Sequence, residues 1–252
     1  MANEIDRRAV IAGLIGGGAL LSGCDRIGSS APFQAAVEGA RGLTMHSQRL
    51  LIGRDRLAPE FGRDKISDRF HANGTTDPIE PAYRALAANG FRQWRLEVDG
   101  LVHRPFGLSL AQLQTLPQRR QITRHDCVEG WSAIAEWQGV PLGLILAHAG
   151  LMPDARYAVF HCADRLGGDQ YYESIDLIDA FHPQTILAHR MNGQPLGIAH
   201  GAPIRLRVER QLGYKQAKYV MRIELVATLD GIGGGKGGYW EDRRNYDYYA
   251  GI

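Results

Sequence analysis

R-H-D-C-V-E-G-W-S, residues 124–132, is the stretch on which the reading of this chain turns. Residues 120–125 read as a strand that delivers Cys127 to its end, among Arg124, His125, Asp126 and Glu129. Local sequence leaves several roles open for this cysteine. The commonest fate of a cysteine is to be buried as a small hydrophobe. A thiol nucleophile is a second role, because His125 lies two residues away and so on the same strand face. A zinc site would need more sulfur or imidazole at ligand spacing. The chain has only three cysteines, Cys24, Cys127 and Cys162, too few for a disulfide framework.

Outward from this stretch, short elements alternate without a βαβ repeat. WRLEVDGLV, 94–102, sets Trp94, Leu96 and Val98 against Arg95, Glu97 and Asp99, the pattern of a half-buried strand running into an Asp-Gly turn. Ser109 caps a short helix that runs through Leu116 and stops at Pro117. Pro141 opens a helix over LGLILAHAG, with Gly150 as its C-terminal cap. ARYAVFHCAD, 155–164, is a buried strand, and the segment from Ile175 to Leu196 holds a broken helix and an Asn192-Gly193 hairpin. IRLRVE, 204–209, puts Ile204, Leu206 and Val208 on one face and Arg205, Arg207 and Glu209 on the other; YVMRIELV, 219–226, alternates similarly. Such a chain is α+β.

Two further stretches bear on chemistry. GIGGGKGG, 231–238, contains a formal G-x-G-x-x-G, but YWEDRR follows rather than a helix-forming stretch, so a loop is expected and not a pyrophosphate cradle. H-G-A-P-I-R, 200–205, is a tight turn carrying His200 and Arg205, and G-Y-K-Q-A-K, 213–218, adds Lys215 and Lys218. Guanidinium binds phosphate as a fork and ammonium as a point charge, so this region reads either as a grip for a small anion or as a solvated basic loop.

The 252 residues are 44% hydrophobic and carry a net charge of +2, enough for one substantial core and with no basic run that asks for nucleic acid. At the N-terminus, Arg7-Arg8 precedes a glycine-broken apolar stretch, Ala9 to Leu21, too short to cross a bilayer. It resembles a twin-arginine export signal, with Val10 where such signals usually have Phe. Leu21-Ser22-Gly23-Cys24 resembles a lipobox, which implies acylation of Cys24 and a lipid anchor at a membrane. The expected organisation is a signal at 1–23, a tether and N-terminal wrap at 24–65, and one domain at 66–252.

R-x-x-C-V-E-G-W-S is followed in order by W-x-G-V-P-L, Y-Y-E-S-I-D-L, H-P-Q-T-x-L, M-N-G-x-P-L, H-G-A-P-I-R-L-R-V and G-Y-K-x-x-K. This series resembles the sulfite oxidase family of molybdopterin-dependent oxidoreductases, especially its bacterial exported branch, which includes the catalytic subunit of the periplasmic methionine sulfoxide reductase. The resemblance runs from about residue 66 to about residue 226. It implies a sulfite oxidase-type molybdopterin-binding domain with mixed sheets and short helices. It also implies a molybdenum-molybdopterin (Mo-pyranopterin) cofactor, with Cys127 as the catalytic thiolate ligand of the metal. Phe70, His71 and Asn73, in the FHANG loop, match positions that contact the pterin. Cys162 matches a position beside the cofactor, and His200, Arg205 and Lys218 match positions that hold the pterin and its phosphate.

The implied reaction is oxygen-atom transfer, in the direction of S-oxide reduction. Sulfite-oxidising relatives carry an arginine where this chain has Ala72, which sets sulfite oxidation as the alternative direction. A catalytically silent lipoprotein that binds a partner is the non-enzyme alternative. With no C-x-x-C-H haem motif, electrons are expected from a haem-containing membrane or soluble cytochrome. The implied location is the periplasm.

Overall fold

The computed structural model describes residues 30–252. The expected signal, its twin arginine and Cys24 lie outside the described residues. Two units divide at Ile52. Among described residues the first is a single helix, α1 (Ala31–Ile52). It stands where a tether had been expected, because its Ala, Gln, Leu, Met and Arg residues favour helix and outweigh its two glycines. None of the described helices is long and apolar enough to cross a membrane.

The second unit, Gly53–Ile252, holds two five-stranded sheets. One is ordered β2 (Phe106–Ser109), β1 (Arg95–Gly100), β10 (Val220–Val226), β5 (Tyr157–Leu166), β6 (Asp169–Asp176). Its β1–β10 pair is parallel, with Glu97 opposite Arg222, and the rest are antiparallel. The other is ordered β3 (Arg119–Asp126), β4 (Ser132–Pro141), β7 (Ile186–Met191), β8 (Gln194–Pro195), with β9 (Arg205–Arg207) also on β7. One hydrophobic cluster draws Val98, Phe160, Ile223 and Leu225 from the first sheet and Val140, Leu187 and Leu206 from the second. The architecture is α+β with mixed sheets and short helices.

Local chemistry explains the connections. In α3 (Leu110–Thr115), Ser109 and Gln112 form a reciprocal capping box. Helix α4 (Leu142–Ala149) ends on Gly150, at φ 68°. Asn192 and Gly193 take φ 49° and 76°, the left-handed pair that a two-residue β7–β8 hairpin requires. Helices α2 (Pro81–Ala88) and α5 (Leu177–Ala180) are short. Residues 58–67 wrap onto the second sheet, where Phe61 N–H donates to Ile122 O at 2.9 Å and Ser67 N–H to Ile134 O at 3.0 Å. The wrap covers the edge strand β3.

Strands β4 and β6 were not expected. Each is buried on both faces through its middle, so its sequence has no two-residue alternation to read. The expected strand at 204–209 forms, but its charged face is dry: Arg205, Arg207 and Glu209 are all buried. An Arg207–Glu209 ion pair at 2.5 Å and the face of Trp137, 4.2 Å from the Arg207 guanidinium, make that burial tolerable.

The glycine run also departs from expectation. A short helix, α6 (Tyr239–Arg244), does follow it. The Asp242 carboxylate fills the concavity of the loop, accepting from Gly234 N–H at 2.7 Å, Lys236 N–H at 3.0 Å and the Tyr172 hydroxyl at 2.5 Å.

Candidate active site

Cys127 sits at the end of β3, in the five-residue connection to β4. Its N–H donates to Trp131 O at 2.9 Å, and Gly130, at φ 87°, donates to Cys127 O at 3.0 Å. This tight loop presents the thiol to a cavity of about 170 Å³. Only 7% of Cys127 is exposed, and Asn73 Nδ2 donates to its sulfur at 3.1 Å. Burial raises the thiol pKa, and the Asn73 amide works against that rise.

His125 does not serve the thiol. It is buried, and its Nδ1 accepts from Arg207 at 3.0 Å. Burial first, then Arg207 and Arg205, hold its pKa well below the usual range, so it stays neutral. The reading of Cys127 as a histidine-activated nucleophile is corrected accordingly: the imidazole's partner is a guanidinium. Gly213 lies so close that a Cβ there would stand 2.4 Å from His125 Nε2.

The basic residues of the expected anion grip divide between the cavity and the interior. Arg205 and Lys218 line the cavity with Cys127 and Asn73. Arg205 donates to His200 O at 3.1 Å and Gln216 O at 3.3 Å, while its buried Nε has no protein partner among described residues. Burial and Arg207 push its pKa down to about 9. Lys218 Nζ donates to Asn73 O at 2.8 Å, to Ala199 O at 3.1 Å and to Thr75 O, tying the FHANG loop to the turn before Arg205. Burial beside Arg205 pushes the Lys218 pKa down to about 7; the three carbonyl acceptors favour its charged form. Lys215, the other candidate ammonium, turns away from the cavity and into the protein. It donates to Glu173 and Glu241 at 2.5 Å each, and all three side chains are fully buried.

The remaining expected residues, Phe70, His71, Cys162 and His200, do not line the cavity. The Phe70 ring packs within 6 Å of the rings of His125, Trp131, Trp137 and His200, at centroid distances of 5.3, 5.9, 5.4 and 5.8 Å, and pins the loop that carries Asn73. His71 is exposed against Trp131. Cys162 is 3% exposed within the hydrophobic cluster. His200 is half-buried, with an unpartnered Nδ1.

Several lining residues escaped sequence reasoning: Thr75, Asp164, Tyr171, Gln216, Trp240 and Tyr246. Gln216 lies inside the G-Y-K-Q-A-K motif and was passed over for its charged neighbours. Nothing local marks Trp240 or Tyr246.

Residues 84–230 match the family model described as the oxidoreductase molybdopterin binding domain. A protein of Azospira oryzae, provisionally named as the YedZ1 subunit of a protein-methionine-sulfoxide reductase, is 38% identical over 94% of this chain and 84% of its own length. The protein-methionine-sulfoxide reductase catalytic subunit MsrP of Xanthomonas axonopodis pv. citri is 34% identical over 68% of this chain and 52% of its own length, so the match spans about half of that relative. Among solved structures, the sulfane dehydrogenase SoxCD of Paracoccus pantotrophus superposes with a TM-score of 0.50 at 24% identity, over 54% of this chain and 39% of that one. At that identity the likeness speaks for the fold alone. The chain has a sulfite oxidase-type fold, belongs to the oxidoreductase molybdopterin-binding domain family and is a molybdenum-molybdopterin-dependent oxidoreductase.

Proposed function

We propose that this chain reduces S-oxides of the methionine sulfoxide type, with Cys127 as the protein's ligand to molybdenum. The observation that carries the reading is the buried Cys127 thiol opening on a cavity that Arg205 and Lys218 also line. The residues present fit the cofactor. Among described residues no trio of His, Cys, Asp or Glu side chains is placed to hold a metal ion. A metal at Cys127 would therefore take its other ligands from the cofactor, and a soft thiolate suits it. The unpartnered Arg205 Nε and the Lys218 ammonium offer donors to the anionic end of such a group.

When bound, the molybdenum-molybdopterin group supplies two-electron oxygen-atom transfer. The chain's own residues bind and orient. Cys127, as its thiolate, would hold the metal, and Asn73 Nδ2 is directed at its sulfur. Phe70 and Lys218 hold the Asn73 loop in place. Reduction of an S-oxide consumes two electrons and two protons and releases a sulfide and water.

The substrate's charge supports this direction. Ala72 is exposed and offers no fork for an anion, and Arg124 is held by Asp126 at 2.9 Å. A desolvated dianion without a partner is costly, whereas a neutral S-oxide needs only a donor and an apolar surface.

The N-terminal motifs support a periplasmic enzyme exported by its twin arginine and anchored through an acylated Cys24, and a haem-containing cytochrome would supply its electrons. The test is made on holoenzyme with an artificial electron donor and acceptor. We expect close to one molybdenum per wild-type chain and kcat/KM for methionine sulfoxide above that for sulfite. We expect Cys127→Ser to lose turnover by at least about a hundredfold while its Tm moves little. Faster sulfite oxidation would select the alternative direction, and metal-free wild-type protein would favour a silent binding module.

A further inference from the structure

The family match ends at residue 230, yet the cavity does not. Trp240 and Tyr246, both in the C-terminal segment beyond it, line the cavity together with Tyr214. The three rings form a continuous wall. Tyr214 and Tyr246 meet edge to face at 5.0 Å, and Tyr246 stacks on Trp240 at 5.9 Å and 23°. Each ring is half-buried, with one side toward the cavity and solvent. The wall starts beside the thiol loop, because Gly213, next to Tyr214, lies against His125 and Asp126 O.

This wall is also tied to the protein on both sides. The buried Lys215–Glu241 contact fixes α6, which carries Trp240, to the turn that carries Tyr214. The Tyr214 hydroxyl donates to Asp247 O at 2.6 Å and so fixes the chain on the far side of Tyr246. The charged groups of the cavity, Glu129, Asp164, Arg205 and Lys218, all come from other segments. The C-terminal segment contributes aromatic surface alone.

We propose that Trp240 and Tyr246 are specificity residues that take the sulfur-bearing alkyl chain of the substrate. A thioether S-oxide presents a polarisable sulfur flanked by alkyl groups. Sulfur near an aromatic ring edge or face is favourable, and methylenes gain by leaving water. Sulfite has no alkyl group and gains nothing from such a wall. The inference rests on the S-oxide reading above and deepens it by naming what recognises the chain attached to sulfur.

The test uses Trp240→Ala, Tyr246→Ala and the conservative Trp240→Phe in the molybdenum-loaded full chain, with methionine sulfoxide and the smaller dimethyl sulfoxide as probes. Molybdenum content should equal wild type in all three. KM for methionine sulfoxide should rise about tenfold in each alanine variant, against a smaller rise for dimethyl sulfoxide, and kcat should change far less than KM. Trp240→Phe should recover most of the loss. Calorimetric titration with methionine sulfoxide should give the same ranking of affinities. Unchanged KM and affinity in both alanine variants would overturn the proposal. Loss of molybdenum from them would also overturn it, by assigning the wall to the cofactor. Binding weakened by the variants in a protein that reduces no S-oxide would leave the wall standing and sink the functional reading instead.

Discussion

Arg207 carries its charge in the protein interior. It is fully buried, doubly bonded to Glu209, bonded to His125 Nδ1 and laid on the Trp137 ring. Glu209 in turn accepts from Gln121 Nε2 at 2.8 Å. A buried pair adds little net stability, but removing one partner strands the other. Arg207→Met should therefore cost about 3–5 kcal/mol in urea unfolding. Arg207→Met with Glu209→Leu should recover a large part of that loss. Alternation in the sequence put Arg205, Arg207 and Glu209 on one face correctly. It had no means of telling that Trp137 and His125, from strands β4 and β3 of the same sheet, would cover that face. Likewise the order of motifs singled out Cys127, but its Asn73 partner lies 54 positions away, beyond any local pattern.

At the scale of elements, α6 is six residues long and too short to be stable by itself. YWEDRR gave no helical period to read, and the helix exists because its acids have partners elsewhere. Glu241 meets Lys215, and Asp242 caps the glycine loop. Burial alone would lower the Lys215 pKa, but Glu173 and Glu241 outweigh it and raise it. Burial and the nearby Glu241 raise the Glu173 pKa well above the usual range, against the pull of Lys215. Two carboxyl groups thus share one ammonium. Lys215→Met removes the ammonium and leaves both carboxyl groups buried without it. The expected outcome is release of residues 231–252, seen as new cleavage there in limited proteolysis while the sheets stay protected. Cleavage indistinguishable from wild type would show that the glycine loop alone holds the segment. By contrast, the capping box of α3 and the Asn192-Gly193 hairpin were readable in advance, since each depends on neighbours within four positions.

Across the whole molecule, four histidines are held neutral by burial. His189 is lowered to about 4, by burial and then Arg190, and His125, His182 and His200 are lowered as well. In the unfolded chain each would take up a proton near its ordinary value of 6.5. Between pH 6.5 and 4 the unfolded state binds more protons, so stability is complete above 6.5 and falls as the solution is acidified. His189→Gln should flatten that fall by on the order of 1–3 kcal/mol, measured as the urea midpoint against pH. For the precursor, Arg7 and Arg8 changed together to Lys should leave the protein in the cytoplasm, and Cys24→Ala should release it from membranes; cell fractionation reads both. Chain order carries a consequence of its own. β1 finds its parallel partner only when β10 has been made, more than a hundred residues later in register. At about 5–20 residues per second, β1 waits on the order of 10 s on the ribosome without that neighbour. The cysteine of the cavity is synthesised before its two cations, and Trp240 and Tyr246 of its aromatic wall come after both. Biosynthesis therefore builds this pocket as an open cup that closes only when its aromatic wall has been made, and pairing across such long separations favours slow closure.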